Sequence, residues 1–140
     1  VGASGDDNNG DSSGSARVFS GFDGSILYTF NGDSVQDYFG KSVSGAGDVN
    51  NDGYADVIVG AYQDDNNGGT SGSARVLSGL DGAILYTFNG DISDAYFGTS
   101  VSGAGDVNKD GYDDVIVGAT GDYNNIDARP GSARVFSGKD

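Results

Sequence analysis

The chain repeats itself, and that limits what it can fold into more than any local feature does. The segment "GSARVFSGFDGSILYTFNGD" at 14–33 returns as "GSARVLSGLDGAILYTFNGD" at 72–91, and "GDVNNDGYADVIVGA" at 47–61 returns as "GDVNKDGYDDVIVGA" at 105–119. Both pairs are 58 residues apart. A third copy, "GSARVFSGKD", opens at Gly131, 59 residues after Gly72, and the extra residue falls in "GDYNNIDARPG", which holds the only proline. The opening "VGASGDDNNG" aligns with "VGAYQDDNNG" at 59–68, which places the first residues near the end of a strand. Repeats of this length mark propellers, solenoids and arrays, in which each unit buries its apolar face against its neighbours.

Each unit reads as four short strands. In the middle unit they cover 38–47, 56–62, 73–79 and 84–90. The second, "DVIVGAY", is apolar on both faces and suits the middle of a sheet. The fourth, "ILYTFNG", is rich in β-branched and aromatic residues. Gly79-Leu80-Asp81-Gly82 is a short glycine-bearing connection of the kind that joins a hairpin, and Asn89-Gly90-Asp91 is a turn. The acid content supports this reading. All 21 acidic residues are Asp, there is no Glu, and glycine numbers 26, a choice that favours turns over helix interiors. Four antiparallel strands per repeated unit describe the blades of an all-β propeller. The expected division is a partial blade at 1–32 (strands three and four), a complete blade at 33–90, and a partial blade at 91–140 (strands one to three), nine strands in all.

Directly before the apolar second strand, both full copies crowd carboxylates together. In the first, Asp48, Asn50, Asp52 and Asp56 put side-chain oxygens at loop positions 1, 3, 5 and 9. Gly53 at position 6 allows a sharp reversal, and the carbonyl of Tyr54 at position 7 can point inward. The second copy offers Asp106, Asn108, Asp110, Tyr112 and Asp114 at the same positions. These are the positions from which a twelve-residue calcium loop surrounds a hard cation with oxygen. Three carboxylates held within ~4–6 Å repel one another unless a divalent cation neutralises them. The twelfth position, a bidentate Glu in the helical calcium hand, is Val59 or Val117 here, so the carboxylate at position 9 has to close the site, and a strand follows instead of a helix. Two Ca2+ sites are expected. Magnesium prefers a strict octahedron with retained waters, and zinc is disfavoured without His or Cys. The competing reading is plain turn chemistry, since Asn, Asp and Gly dominate turns anyway. Preservation of all five spacings in both copies favours the cation.

The formal charge of −14 and the lack of any basic stripe argue against nucleic acid and anionic membrane surfaces. Cys and His are both absent, which removes disulfides, thiolate metal sites and the usual general base. No catalytic constellation stands out, and no enzymatic role is expected. Tyr28, Phe30, Tyr86 and Phe88 alternate along the fourth strands and are expected to pack between blades. Phe39 and Phe97 are expected as core plugs, and Arg17, Arg75 and Arg134 as partners for nearby Asp residues. The "DDNNG" loops at 6–10 and 64–68 read as solvated turns.

Phe39-Gly40, Gly45-Ala46-Gly47 and the 48–56 loop, then Phe97-Gly98, Gly103-Ala104-Gly105 and the 106–114 loop, resemble the FG-GAP repeat. That repeat is the blade of the integrin α-subunit propeller and of many bacterial surface proteins. Both copies carry Gly where the family name has Pro. The resemblance implies a blade whose first strand lines a central channel and whose structural calcium loop joins strands one and two. It places protein partners on the opposite face, here the 62–71 and 121–130 connections and the segments 31–38 and 89–96. Family propellers usually carry six or seven blades, so the chain is expected either to be a segment of a longer protein or to associate with copies of itself. The expected function is a calcium-binding, extracellular or cell-surface segment for adhesion or protein–protein interaction. The alternative is a structural subunit that assembles by strand exchange or stacking into a filament, sheath or ring.

Overall fold

The computed structural model describes residues 1–122 and 130–139. Among these residues ten strands form three antiparallel sheets that succeed one another along the chain. The first contains β1 (Gly2–Ala3), β2 (Ser15–Phe19) and β3 (Ile26–Asn31). The second contains β4 (Ser42–Gly47), β5 (Asp56–Ala61), β6 (Ser73–Leu77) and β7 (Ile84–Asn89), in that spatial order. The third contains β8 (Phe97–Gly105), β9 (Asp114–Ala119) and β10 (Ser132–Phe136), with β9 in the middle. Among the described residues no closed propeller is formed, and the strands number one more than the expected nine. The extra strand is β1, in which Gly2 pairs with Ala16 as Gly60 pairs with Ala74 in the middle sheet. The leading "VGA" is therefore long enough to keep two rungs of its ladder.

The sequence repeat becomes a repeat of register. Arg17 faces Thr29 and Arg75 faces Thr87, and both hairpins shift register at the same place, after Val18 and after Val76. β5 is buried along nearly its whole length because sheets pack on both of its faces, as a two-faced apolar strand requires.

The core lies between the sheets. Ala16 and Phe30 of the first sheet meet Phe39, in the connection before β4, and Val59, Ala61 and Leu77 of the second. On the other side Ile58, Ala74 and Val76 meet Phe97, Val115, Val117 and Ala119 of the third. The aromatic strands serve this packing. Phe88 stacks on Phe136 at 4.0 Å between ring centroids, and Phe136 meets Phe97 edge-on. The Tyr28 hydroxyl reaches the carbonyls of Gly79 and Leu80 at 3.2 and 2.9 Å, and the Tyr86 hydroxyl donates to the Gly138 carbonyl one repeat later. β3 thus hangs on the β6–β7 turn, and β7 on the segment after β10.

Charged pairs bridge the same joints. Arg75 pairs with Asp33, just beyond the last strand of the preceding sheet, and Arg134 pairs with Asp91 at 2.7 Å and Asp122 at 2.9 Å. Their guanidinium groups lie over the Phe39 and Phe97 rings at 5.4 and 5.7 Å, an arrangement that stabilises both the charge and the ring. Arg17 pairs with Asp6 at 3.7 Å.

The strand beginnings are held by glycine. Gly72 has φ +80°, and a Cβ there would sit 2.1 Å from the Phe97 carbonyl oxygen. This close approach lets Gly72 bridge to Phe97 in parallel, as Gly14 does to Phe39. Phe97 is fully buried, whereas Phe22 is 99% exposed. Phe97→Ala should therefore lower the unfolding free energy in a denaturant titration by about 3–5 kcal/mol. Phe22→Ala should change it by less than about 0.5 kcal/mol.

Candidate functional site

The two acidic loops sit at one end of their sheets, between β4 and β5 and between β8 and β9. Their local fold follows from side chains that accept the loop's own N–H groups. In the first loop Asp48 accepts from Asp52 N–H through Oδ1 at 3.0 Å and from Gly53 N–H through Oδ2 at 2.9 Å. The Asn50 Oδ1 accepts the same Asp52 N–H at 3.2 Å, and the Asn50 amide donates to Asp52 Oδ2 at 2.8 Å. Asp52 Oδ1 then accepts from Tyr54 N–H at 2.9 Å. Because Asp48 and Asn50 share one donor, their oxygens lie side by side, and Asp52 touches both residues. The second loop repeats each bond among Asp106, Asn108, Asp110, Gly111 and Tyr112, all at 2.9–3.0 Å.

The turn needs two left-handed residues. Gly53 and Gly111 at position 6 have φ +90° and +92°, as the spacing implies. Position 4 is also left-handed, Asn51 at +58° and Lys109 at +60°. Asn adopts this conformation readily, and Lys does so at some cost. The Tyr54 ring is exposed, whereas Tyr112 lies half-buried beneath the Lys139 ammonium, 5.8 Å from its ring centroid.

Position 9 is set apart from the rest. Asp56 and Asp114 are buried, at 1% and 0% exposure. Asp56 accepts from Val49 N–H within the loop at 2.9 Å and from Gly79 N–H in the β6–β7 turn, also at 2.9 Å. Asp114 does the same with Val107 N–H at 2.9 Å and Gly138 N–H at 3.2 Å. Both oxygens are thus engaged with backbone from two segments, a role that sequence spacing did not reveal.

Two loop carboxyls are shifted, in opposite directions. Burial pushes the Asp56 carboxyl up, the Gly79 and Val49 N–H groups oppose this, and the Asp52 and Asp48 charges add to it. Asp110 is held below the usual carboxylate range. Its slight desolvation pushes it up, but the Tyr112 N–H, Asn108, Ser137 and Lys139 together outweigh that.

The donor set, carboxylate and amide oxygen throughout, fits a hard cation by its chemistry. Among the described residues, however, no group of three or more acidic side chains is gathered into a metal-holding cluster. Asp48, Asn50 and Asp52 converge, while Asp56 stays within the fold.

The opposite end of the sheets holds the connections expected to face a partner. The 62–71 connection lies between segments 31–38 and 89–96. Gln63 N–H donates to the Asp37 carbonyl, Asp94 N–H to Gly69, and the Thr70 hydroxyl to Asp94 at 2.7 Å. Tyr38, Tyr62 and Tyr96 form a row, with ring centroids 5.7 and 6.3 Å apart. Of the 121–130 connection, residues 123–129 lie outside the described residues. The "DDNNG" loop at 64–68 is not simply solvated, because Asp64 is buried. It accepts from the Ser73 hydroxyl at 2.6 Å and from Asn66 N–H at 3.0 Å. Asp6 with Ser15 and Asp122 with Ser132 repeat the Ser–Asp contact.

The FG-GAP repeat family profile matches residues 39–77 and 97–136, together more than half of the chain. Human integrin alpha-11 is 37% identical over 99 residues, 66% of this chain and 8% of that protein. Integrin alpha-5 of Xenopus laevis is 31% identical over 134 residues, 90% of this chain and 12% of that protein. Integrin alpha-PS5 of Drosophila melanogaster is 39% identical over 99 residues, 66% of this chain and 10% of that protein. The chain spans about a tenth of the length of these relatives.

Asp37, buried beside the tyrosine row, generates a pH prediction. Burial and the Asp64 charge push its carboxyl up to about 6, Asp65 adds to this, and the Ser34 N–H and Arg75 oppose it. The folded state therefore holds the Asp37 proton more tightly than the unfolded chain does. That stabilisation is complete below pH 4 and is lost as pH rises through 6. Asp37→Asn should make the fold more stable than the parent by about 1–3 kcal/mol at pH 7. The gap should close below pH 4, as read from paired denaturant titrations across pH.

Proposed function

The chain belongs to the FG-GAP repeat family, and from that premise we propose that it is a calcium-stabilised β-propeller segment serving adhesion or protein–protein interaction outside the cell. The division into blades at 1–32, 33–90 and 91–140 is part of the same reading. Calcium would be held by Asp48, Asn50, Asp52 and the Tyr54 carbonyl, with Asp56 closing the site, and by Asp106, Asn108, Asp110, the Tyr112 carbonyl and Asp114 in the second copy. When bound, it would neutralise the crowded carboxylates and fix the strand-to-strand connection. The chain's own residues supply the frame: Gly53 and Gly111 turn the loop, and Asp56 and Asp114 anchor it to the sheet.

The observation that carries this reading is the duplicated loop. Two segments 58 residues apart fold into the same network of oxygens and N–H groups despite differing at Asn51/Lys109 and Ala55/Asp113. Turn chemistry alone does not require three carboxylates at fixed spacing in both. The extracellular placement draws support from the calcium available there at millimolar levels, which suits weak modular sites, and from the integrin subunits among the relatives. The partner-docking face is the one bearing the tyrosine row, and the partner is a protein or another copy of the chain. No enzymatic role is part of the reading.

Millimolar calcium should raise the melting temperature, and a chelator should reverse the shift, because a ligand bound only to the folded state stabilises it by about 1–3 kcal/mol per site at 10–100 times its dissociation constant. Asp52→Ala and Asp110→Ala should each abolish about half of this shift while leaving the calcium-free protein nearly as stable as the parent. Asp56→Ala should instead destabilise the calcium-free protein by about 2–5 kcal/mol, since it strands two buried N–H groups. A melting curve indifferent to calcium would reduce the loops to turns.

A further inference from the structure

The two loops differ at position 8, where the first has Ala55 and the second has Asp113. Asp113 does not point into its own loop's network. Its Oδ2 accepts from the Asp48 N–H at 2.9 Å, and its own N–H donates to the Asp48 carbonyl at 3.2 Å. Asp48 is position 1 of the first loop, 65 residues earlier. The carboxylate lies against the α-carbon of Gly47, where an added Cβ would be 2.1 Å from Asp113 Oδ2, and Gly47 itself has φ +80°. A side chain at 47 would push Asp113 away, so glycine is required on one side of the contact and a short acceptor on the other.

Two further contacts make the joint one-directional. Val49, position 2 of the first loop, is buried in the core that also holds Val115 and Val117, whereas its counterpart Val107 is 58% exposed. Gly138, whose N–H anchors Asp114, packs so closely that an added Cβ would lie 2.2 Å from the Asp113 carbonyl oxygen and 2.5 Å from that of Val49. The first loop is therefore seated on the third sheet through Asp48 and Val49. The second loop has no corresponding seat among the described residues.

We infer that Asp113 is a positioning residue for the first loop and that it couples cation occupancy of the two loops. This rests on the calcium reading above. Holding position 9 of the second loop in place fixes its neighbour Asp113, and Asp113 fixes the backbone of Asp48 on both its N–H and C=O sides. A cation that orders the second loop thus prepares the first loop's leading carboxylate. The coupling is a binding free energy shared by the two sites, so it acts equally in both directions. Ala55 gives the first loop no such reach toward the unit before it.

Calcium titration by calorimetry on the full chain tests this, with Asp110→Ala disabling the second loop. In the parent background, disabling the second loop should weaken calcium binding at the first loop by about 5-fold or more. In an Asp113→Ala background, which installs the residue that the first loop already carries, the same change should matter less than about 2-fold. Asp113→Asn keeps an acceptor for the Asp48 N–H and should retain the coupling. Coupling of equal size with and without Asp113 would overturn the inference, as would its loss in Asp113→Asn. Two calcium sites that bind independently in the parent would overturn it while leaving the calcium reading intact. Absence of any calcium heat would overturn both. Circular dichroism and a denaturant titration of each variant identify any that fails to fold, and a merely structural role for Asp113 would move stability without changing the response to Asp110→Ala.

Discussion

Asp56 and Asp114 each bring a carboxylate out of water and give both of its oxygens to backbone N–H groups from two separate segments. A buried carboxylate is costly unless it is fully hydrogen-bonded, and removing it would leave two buried donors without partners. The group therefore has to stay, and by staying it sets three things at once: where the second strand starts, where the acidic loop re-enters the sheet, and where the segment after the third strand docks. The β6–β7 turn at Gly79 and the segment after β10 at Gly138 in turn receive Tyr28 and Tyr86 from the preceding sheets. Sheet-to-sheet stacking and loop closure are consequently parts of one network.

A chain with 21 acids and 7 bases has to manage repulsion wherever it folds tightly. It does so in two ways. At the end bearing the tyrosine row, Asp6, Asp64 and Asp122 are matched to serine hydroxyls, and the exposed Asp33 and Asp91 to arginines of the following sheet. In the acidic loops no arginine intervenes: Asp48 and Asp106 are met by backbone N–H groups, and Asp52 and Asp110 by a backbone N–H, an Asn amide and, for Asp110, the Ser137 hydroxyl. Polar hydrogens reduce the repulsion without removing the charge. This contrast between the two ends is why a divalent cation is proposed for the loops and not for the "DDNNG" segments, whose acids already have partners.

Much of this was legible in the sequence. The two-faced apolar run, the β-branched and aromatic runs and the glycine-bearing turns placed the strands of the middle sheet within a few positions of their observed ends. Where strand one was placed too early, at Tyr38, a left-handed φ of +54° and the bridge from Gly14 to Phe39 delay the ladder to Ser42. The glycine at loop position 6 and the burial of Phe39 and Phe97 followed from spacing and side-chain size. What spacing could not give was any contact that joins one sheet, or the connection after it, to the next. Asp33 with Arg75, Tyr86 with Gly138, and Asp113 with Asp48 join residues 42 to 65 positions apart, and nothing local marks them. Asp56 was read only as a cation ligand, whereas its two backbone partners depend on where the β6–β7 turn lands. The one sequence clue to the inter-unit joint was the Ala55/Asp113 difference, which becomes informative only once the sheets are stacked.

Diffraction from crystals grown in millimolar calcium, with the anomalous signal used to locate the metal, tests the central claim most directly. The account predicts a peak in each acidic loop, about 2.3–2.6 Å from oxygens of Asp48 and Asp52 and of Asp106 and Asp110, with Asp113 still bonded to the Asp48 backbone. Loops that hold only water at that calcium concentration, with Asp56 and Asp114 unchanged, would contradict it.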